Sequence, residues 1–391
     1  MAKLIDITGK ALSGEWGLDD DTGDGIPVLR TTNFTNEGTV NFSNVVTRKI
    51  NKKDLSKKYL RKGDIIIEKS GGSDKQPVGR VIFFDGDENK YLFNNFTGLL
   101  RVSDQSKWLP KYVFYALFSN YIQGGTRPFE NKTTGLHNLK TDSYVESFEI
   151  KAIPLGEQRI TVNQLDRVNE LISLRKQQLT KLDELVKARF VELFGDTILN
   201  PFGWKKDLLG TVCDVRDGTH DSPQYYESGY PLVTSKNVTG GKIDLTDCSL
   251  ICEADFKKIN ERSKVDIGDI IMPMIGTVGK PVIVDIEPNF AIKNVSLIKF
   301  KADSRVLNIY IRALLQSDYF DDAVLSKVRG GTQKFISLGD IRKLEVLVPP
   351  MELQEQFATF IKQTDKSKLA VQQSLDKLEL LKKALMQKYF G

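Results

Sequence analysis

Residues 157–195 read EQRITVNQLDRVNELISLRKQQLTKLDELVKARFVELFG, with no proline and no glycine before Gly195. Leu165, Val168, Ile172, Leu179, Leu182, Val186 and Leu193 keep alternating steps of three and four, and Arg175 and Arg189 fill two further seam positions. That is the apolar seam of a long amphipathic helix that pairs with another helix. At ~1.5 Å per residue, such a helix makes a rod of about 58 Å.

A near-copy lies 196 residues downstream, at residues 352–391. Pro154 matches Pro350, Leu155 matches Met351, and Phe194-Gly195 matches Phe390-Gly391, all at that one offset. Val371, Leu375, Leu378, Leu385 and Tyr389 repeat the seam. Lys382 interrupts it with a flexible side chain that can snorkel. Neither helix is apolar all round, so each needs a partner. Two unrelated surface helices would not share one offset at both ends. The pair is therefore expected to run antiparallel.

The rest of the chain falls into two globular segments, residues 1–153 and 197–349, each followed by its helical segment, residues 154–196 and 350–391. In the first, Ile26-Pro27-Val28-Leu29, Ile65-Ile66-Ile67 and Gly79-Arg80-Val81-Ile82-Phe83-Phe84 read as strands, and residues 111–121 as a helix. Lys69-Ser70-Gly71-Gly72, Gly124-Gly125-Thr126-Arg127 and Gly135-Leu136-His137-Asn138 read as loops. The second segment retraces this path. Tyr230-Pro231-Leu232-Val233 answers Ile26 to Leu29, and Gly268-Asp269-Ile270-Ile271 answers Gly63-Asp64-Ile65-Ile66 at an offset of 205. Gly330-Gly331-Thr332 answers Gly124-Gly125-Thr126 at 206. The expected fold class is α+β: two mixed domains in pseudo-two-fold tandem repeat, separated by two long antiparallel coiled-coil helices. Such an arrangement suits a ligand with two sites at a set spacing, and duplex DNA is the obvious one.

Composition narrows the field. The 391 residues are 40% apolar, enough for globular cores, and no run approaches a membrane span. The N-terminus lacks an apolar signal core, and Cys213, Cys248 and Cys252 form no disulfide framework, so a cytoplasmic location is expected. Net charge is +5 overall but only +3, 0, 0 and +2 over the four successive segments. DNA binding must therefore rest on local clusters. Residues 48–62 form one such cluster, carrying eight Lys and Arg against Asp54 alone. They could straddle phosphates or form a solvated helix. Base readout wants Arg or Lys for guanine and Asn or Gln for adenine. The candidates at repeated loop positions are Arg30, Asn33, Arg127, Lys132, Lys236, Asn237, Arg329, Gln333 and Lys334.

Enzymatic signals are missing. Gly276-Thr277-Val278-Gly279-Lys280 lacks the spacing of a nucleotide-binding loop. Asn200-Pro201-Phe202 lacks the second proline of an amino-methyltransferase motif and reads as a linker turn. Cys248 and Cys252 have no companion pair for zinc. His137 and His220 are the only histidines; His220 could be a base or a ligand, but a loop histidine that caps a turn or contacts DNA fits better.

The layout resembles the specificity (S) subunit of type I restriction–modification systems over essentially the whole chain. The resemblance rests on Pro154-Leu155-Gly156-Glu157-Gln158, on Leu193-Phe194-Gly195-Asp196, and on Asn200-Pro201-Phe202-Gly203-Trp204. Asp217-Gly218-Thr219-His220 with Ser222-Pro223 also carries it, as does Gly268-Asp269-Ile270-Ile271 through Gly279. Pro350-Met351-Glu352-Leu353-Gln354-Glu355-Gln356 departs from the pattern by a register shift, and the first domain lacks the Asp-Gly-Thr-His signature. The resemblance implies two target-recognition domains, each reading half of a bipartite double-stranded DNA site. It implies that the paired helices fix the unread spacer and dock two methyltransferase (modification) subunits, which motor-nuclease (restriction) subunits join. It adds Lys69, Ser70, Thr219, His220, Thr277 and Lys280 to the expected DNA contacts. It implies no catalytic residue, metal or cofactor on this chain, with S-adenosylmethionine on the partner methyltransferase. The rival readings are a coiled-coil scaffold that binds only proteins and a self-contained DNA methyltransferase or nuclease.

Overall fold

The computed structural model describes residues 1–52, 54–133, 136–275, 279–323 and 335–391. The chain divides into two compact units. Met1–Lys176 with Gln373–Gly391 form the first, and Gln177–Gln372 the second. Both long helices contribute to each unit: the central one spans Leu155–Phe194 and the C-terminal one Met351–Phe390. Among the described residues no helix is long and apolar enough to cross a membrane.

Within each unit the two helices run antiparallel, seam against seam. In the first unit, Leu165, Val168 and Ile172 are buried on the central helix, as are Leu375 and Met386 on the C-terminal one. Tyr389 Oη donates to Gln164 Oε1 at 2.6 Å, and Arg175 Nε to Ser374 Oγ at 3.2 Å. Lys382 lies 5.3 Å from the Phe118 ring centroid, and burial pulls its pKa below the ordinary lysine value. In the second unit, Lys368 Nζ reaches Asp183 Oδ1 at 2.6 Å, and the rings of Phe190 and Phe357 are 5.6 Å apart.

The two units repeat one topology. Ile65–Glu68, a run of apolar β-branched residues closed by a buried Glu, is a central strand in a four-stranded antiparallel sheet. Its order is Leu12–Ser13, Thr97–Leu100, Ile65–Glu68, Val81–Phe83. The second unit has Asp214–Asp217, Val295–Lys299, Ile270–Pro273, Val282–Ile283 in the same order. A further sheet repeats as well. Ile26–Leu29 lies between antiparallel Val46–Lys49 and parallel Leu92–Phe93. Tyr230–Val233 lies likewise between Ser249–Ile251 and Ala291–Ile292. The Gly-Asp turns before the central strands bury their carboxylates in both units. Asp64 takes Arg101 through both Nε and Nη2, at 2.7 and 2.6 Å, and Asp269 takes Lys299 at 2.5 Å.

Two expected loops are strands. Lys69-Ser70-Gly71-Gly72 becomes the strand Ser70–Gly72, and Leu136-His137-Asn138 belongs to Leu136–Leu139. With Glu130–Thr133 they make a three-stranded sheet. Glycine weakens a strand by its entropy and by its missing side chain, and here the neighbouring ladder supplies the pairing that local sequence does not signal. Gly135, Gly276-Thr277-Val278 and Gly330-Gly331-Thr332 lie outside the described residues.

The helix-end motifs have a mechanical explanation. Gln158 is buried: Oε1 accepts from Leu109 N at 2.9 Å, and Nε2 donates to the carbonyls of Lys107 and Ile153 at 2.8 and 2.9 Å. Gln354 does the same with Leu307 N, Arg305 O and Pro349 O at 2.8, 3.0 and 2.9 Å. Gln354, not Gln356, is thus the counterpart of Gln158, which settles the register at the second helix start. At the end of the central helix Gly195 has φ +78°, and its N–H donates to Val191 O at 2.8 Å. Asn200 then holds Trp204 through both backbone groups at 2.9 Å, and the Trp204 indole donates to Phe194 O at 3.0 Å. This is the linker turn expected of Asn200-Pro201-Phe202. A Cβ on Gly195 would meet Pro201 Cγ at 2.8 Å. Gly195→Ala is expected to cost about 1–2 kcal/mol from the left-handed backbone alone. A thermal melt of the full chain should show the second unit's transition lowered by a few degrees.

Candidate nucleic-acid interface

The three-stranded sheet of the first unit gathers several expected contacts. Lys132 faces His137 across the ladder, and Ser70 pairs with Asn138. Asp74 is the common partner: its carboxylate takes Lys132 Nζ at 3.0 Å and stands 3.5 Å from His137 Nε2, while its carbonyl accepts from Arg127 at 3.1 Å. The Lys132 ammonium, with smaller help from His137 and Arg127, holds the Asp74 carboxyl below the usual carboxylate range. Behind this cluster His137 is buried, with Nδ1 2.8 Å from Glu130 Oε2. Glu130 Oε1 in turn accepts from Val78 N at 3.1 Å. Arg127 and Lys132 are exposed, whereas Lys69 is half-buried and donates to Ser13 Oγ at 3.0 Å.

Ser13 leads to a match that the sequence hid. In the second unit, Thr219 N donates to Ile292 O at 3.0 Å, where Gly218 comes so close that a Cβ would sit 2.4 Å from that oxygen. In the first unit Glu15 N donates to Phe93 O at 2.8 Å, and a Cβ on Gly14 would sit 2.2 Å from that oxygen. Ser13-Gly14-Glu15-Trp16 therefore occupies the place of Asp217-Gly218-Thr219-His220. Only the glycine is shared, because only glycine lets the chain approach the neighbouring carbonyl so closely. Its offset of 204 residues, the same as that from Arg30 to Thr234, was the available signal.

Around the second unit's loop, Asp217 is buried and takes His220 Nε2 on Oδ2 at 2.9 Å, with Arg262 on Oδ1. His220 Nδ1 lies 3.0 Å from Asn294 Oδ1. Lys293, only 9% exposed, donates to Ser222 Oγ at 2.8 Å. The first unit's loop is also charge-paired. Glu15 takes Lys52 at 2.6 Å and also Lys58, and these two, Lys52 first, hold its pKa below the ordinary value. Arg48 pairs with Asp19 and stands 4.1 Å over the Trp16 ring centroid. Among the described residues of 48–62 none is helical, which counts against one of their two readings. Val46–Lys49 is a strand, and the described residues after it follow an irregular path. Their counterpart Glu253–Ser263 is helical, capped by Cys252 Sγ, which accepts from Asp255 N at 3.5 Å.

Other expected contacts lie elsewhere. Asn33 and Asn237 are 2% and 7% exposed, and their Oδ1 atoms accept from the backbone N–H of Arg30 and Thr234 at 2.9 and 3.0 Å. These buried amides build the turn after the strand and face no solvent, so the expectation that they read bases gives way to a turn-building role. Arg30 is half-buried and donates to Asn44 O at 3.3 Å. Lys236 and Lys280 are exposed. Thr277, Arg329, Gln333 and Lys334 lie outside the described residues. Glu15, Asp74 and Lys293 carry no signal in the sequence, since their roles depend on partners distant in the chain.

Fold and site together define a tandemly duplicated α+β protein whose units carry cation–carboxylate clusters on equivalent loops. Residues 2–184 and 201–380 each match the type I restriction modification DNA specificity domain. The chain belongs to that family: it is a specificity subunit with two DNA specificity domains. It is 22% identical to the type I restriction enzyme EcoKI specificity subunit of Escherichia coli K12, covering 94% of this chain and 82% of that one. It is 23% identical to the MjaVIII specificity subunit of Methanocaldococcus jannaschii, covering 78% and 76%. The fold is similar to the crystal structure of a type I restriction-modification S subunit from M. genitalium, with TM-score 0.56 and 16% identity over 100% of this chain and 95% of that one. A chain from a type I system solved for its complex assembly gives TM-score 0.58 at 18% identity, covering 100% and 96%.

Proposed function

We propose that each unit reads one half of a bipartite DNA target and that the paired helices set the unread spacer. The observation that carries this reading is the repeat itself: two units of one topology present equivalent loops with different side chains. Different side chains on one scaffold would read different bases at two sites. Arg127, Lys132 and Lys69 in the first unit, and His220, Lys236 and Lys280 in the second, are assigned to phosphates and base edges. The helices also dock two methyltransferase subunits, joined by motor-nuclease subunits. This chain contributes no catalytic residue, and S-adenosylmethionine binds the methyltransferase. The complex works in the cytoplasm.

Genome-wide mapping of methylated bases, with and without this gene, tests the assignment. One bipartite methylation motif is expected to vanish on deletion. Unchanged methylation would overturn it.

A further inference from the structure

The candidate contacts of the first unit do not stand free. Lys132, Arg127 and His137 converge on Asp74, whose side chain is 84% exposed. An exposed carboxylate on the Lys132 ammonium has the charge and the oxygen geometry with which a backbone phosphate would meet it. It stands 58 residues from Lys132 in the chain, so the fold, not local sequence, puts it there. Being exposed, the ion pair is weak and exchangeable.

We infer that Asp74 is a built-in competitor for DNA, its carboxylate holding the Lys132 ammonium until a backbone phosphate displaces it. The inference rests on the proposed DNA contact by Lys132 and Arg127. A phosphate must exchange with the carboxylate, so DNA gains less from Lys132 than it would from a free ammonium. Asp74 thus lowers the affinity for duplex DNA. Buried Glu130 keeps His137 in place behind Asp74 and is not itself exchanged.

Fluorescence anisotropy of the full chain with a random-sequence duplex, over a salt series, tests this. Asp74→Asn preserves shape and the backbone carbonyl used by Arg127. It should tighten binding several-fold and steepen the log–log salt slope by about one unit, as one more phosphate is neutralised. Asp142→Asn, on the exposed face of the helix Thr141–Ser147, controls for net charge and should do less. Adding Lys132→Ala to Asp74→Asn should abolish the gain. An Asp74→Asn chain that binds like Asp142→Asn, or more weakly, would overturn the inference while leaving the hairpin on DNA if Lys132→Ala alone weakens binding. If Lys132→Ala and Arg127→Ala also change nothing, the assignment of this hairpin to DNA falls as well.

Discussion

Gln354→Ala is expected to destabilise the second unit by about 3–5 kcal/mol, because each buried backbone group left without its partner costs roughly 1–3 kcal/mol. Gln354 is fully buried and serves three backbone groups: Leu307 N–H and the carbonyls of Arg305 and Pro349. No apolar replacement can serve them, so Gln354→Met, which fills the space, should cost nearly as much. Gln356→Ala provides the contrast. It is exposed, and surface changes of that kind stay within about 0.5 kcal/mol. Denaturant unfolding of the full chain reads both. A loss below about 1 kcal/mol for Gln354→Ala would mean that water replaces the amide readily, and that the motif does not lock helix to domain. Gln158→Ala should act in the same way on the first unit.

Replacing residues 205–348 with the corresponding segment of another specificity subunit should change one half of the methylated motif completely and leave the other half intact. The structure favours these cut points. Lys205–Leu208 pairs antiparallel with Glu345–Val348, Lys205 opposite Val348, so the segment leaves and returns on neighbouring strands. The helix-lock residue Gln354 lies outside the segment but holds backbone inside it, at Arg305 and Leu307. A donor domain must therefore keep that loop. Each base pair read is worth about 1–3 kcal/mol, so exchanging a half-site of several pairs should remove detectable methylation at the old motif. Methylation mapping of cells carrying the chimera gives the answer. Retention of the original motif in full would show that residues 205–348 do not choose the half-site.

The difference between what was legible and what was not follows the range of the interactions. Leu165, Val168 and Ile172 announce their buried face because helical spacing is set by the backbone and needs no distant partner. Ile65-Ile66-Ile67 announces a buried strand for the same local reason. The long helices, the duplication and the family were therefore present in the sequence itself. Ser70–Gly72 and Leu136–Leu139 look like loops in the sequence, because what makes them strands is each other. The match of Ser13-Gly14-Glu15-Trp16 to Asp217-Gly218-Thr219-His220 was hidden, since the one shared requirement is a close approach to a carbonyl on another strand.

Sequence by itself determined the α+β class, the repeat, the paired helices and the membership in a DNA-specificity family. Periodicity, offset and glycine placement are properties of neighbours along the chain. Tertiary structure alone decided that Asn33 and Asn237 are buried turn-builders, that Gln354 is the helix lock, and that Glu15, Asp74 and Asp217 hold the cations of the candidate interface. Those outcomes depend on which groups meet across tens of residues, and a charge or an amide carries no local mark of the partner it will find.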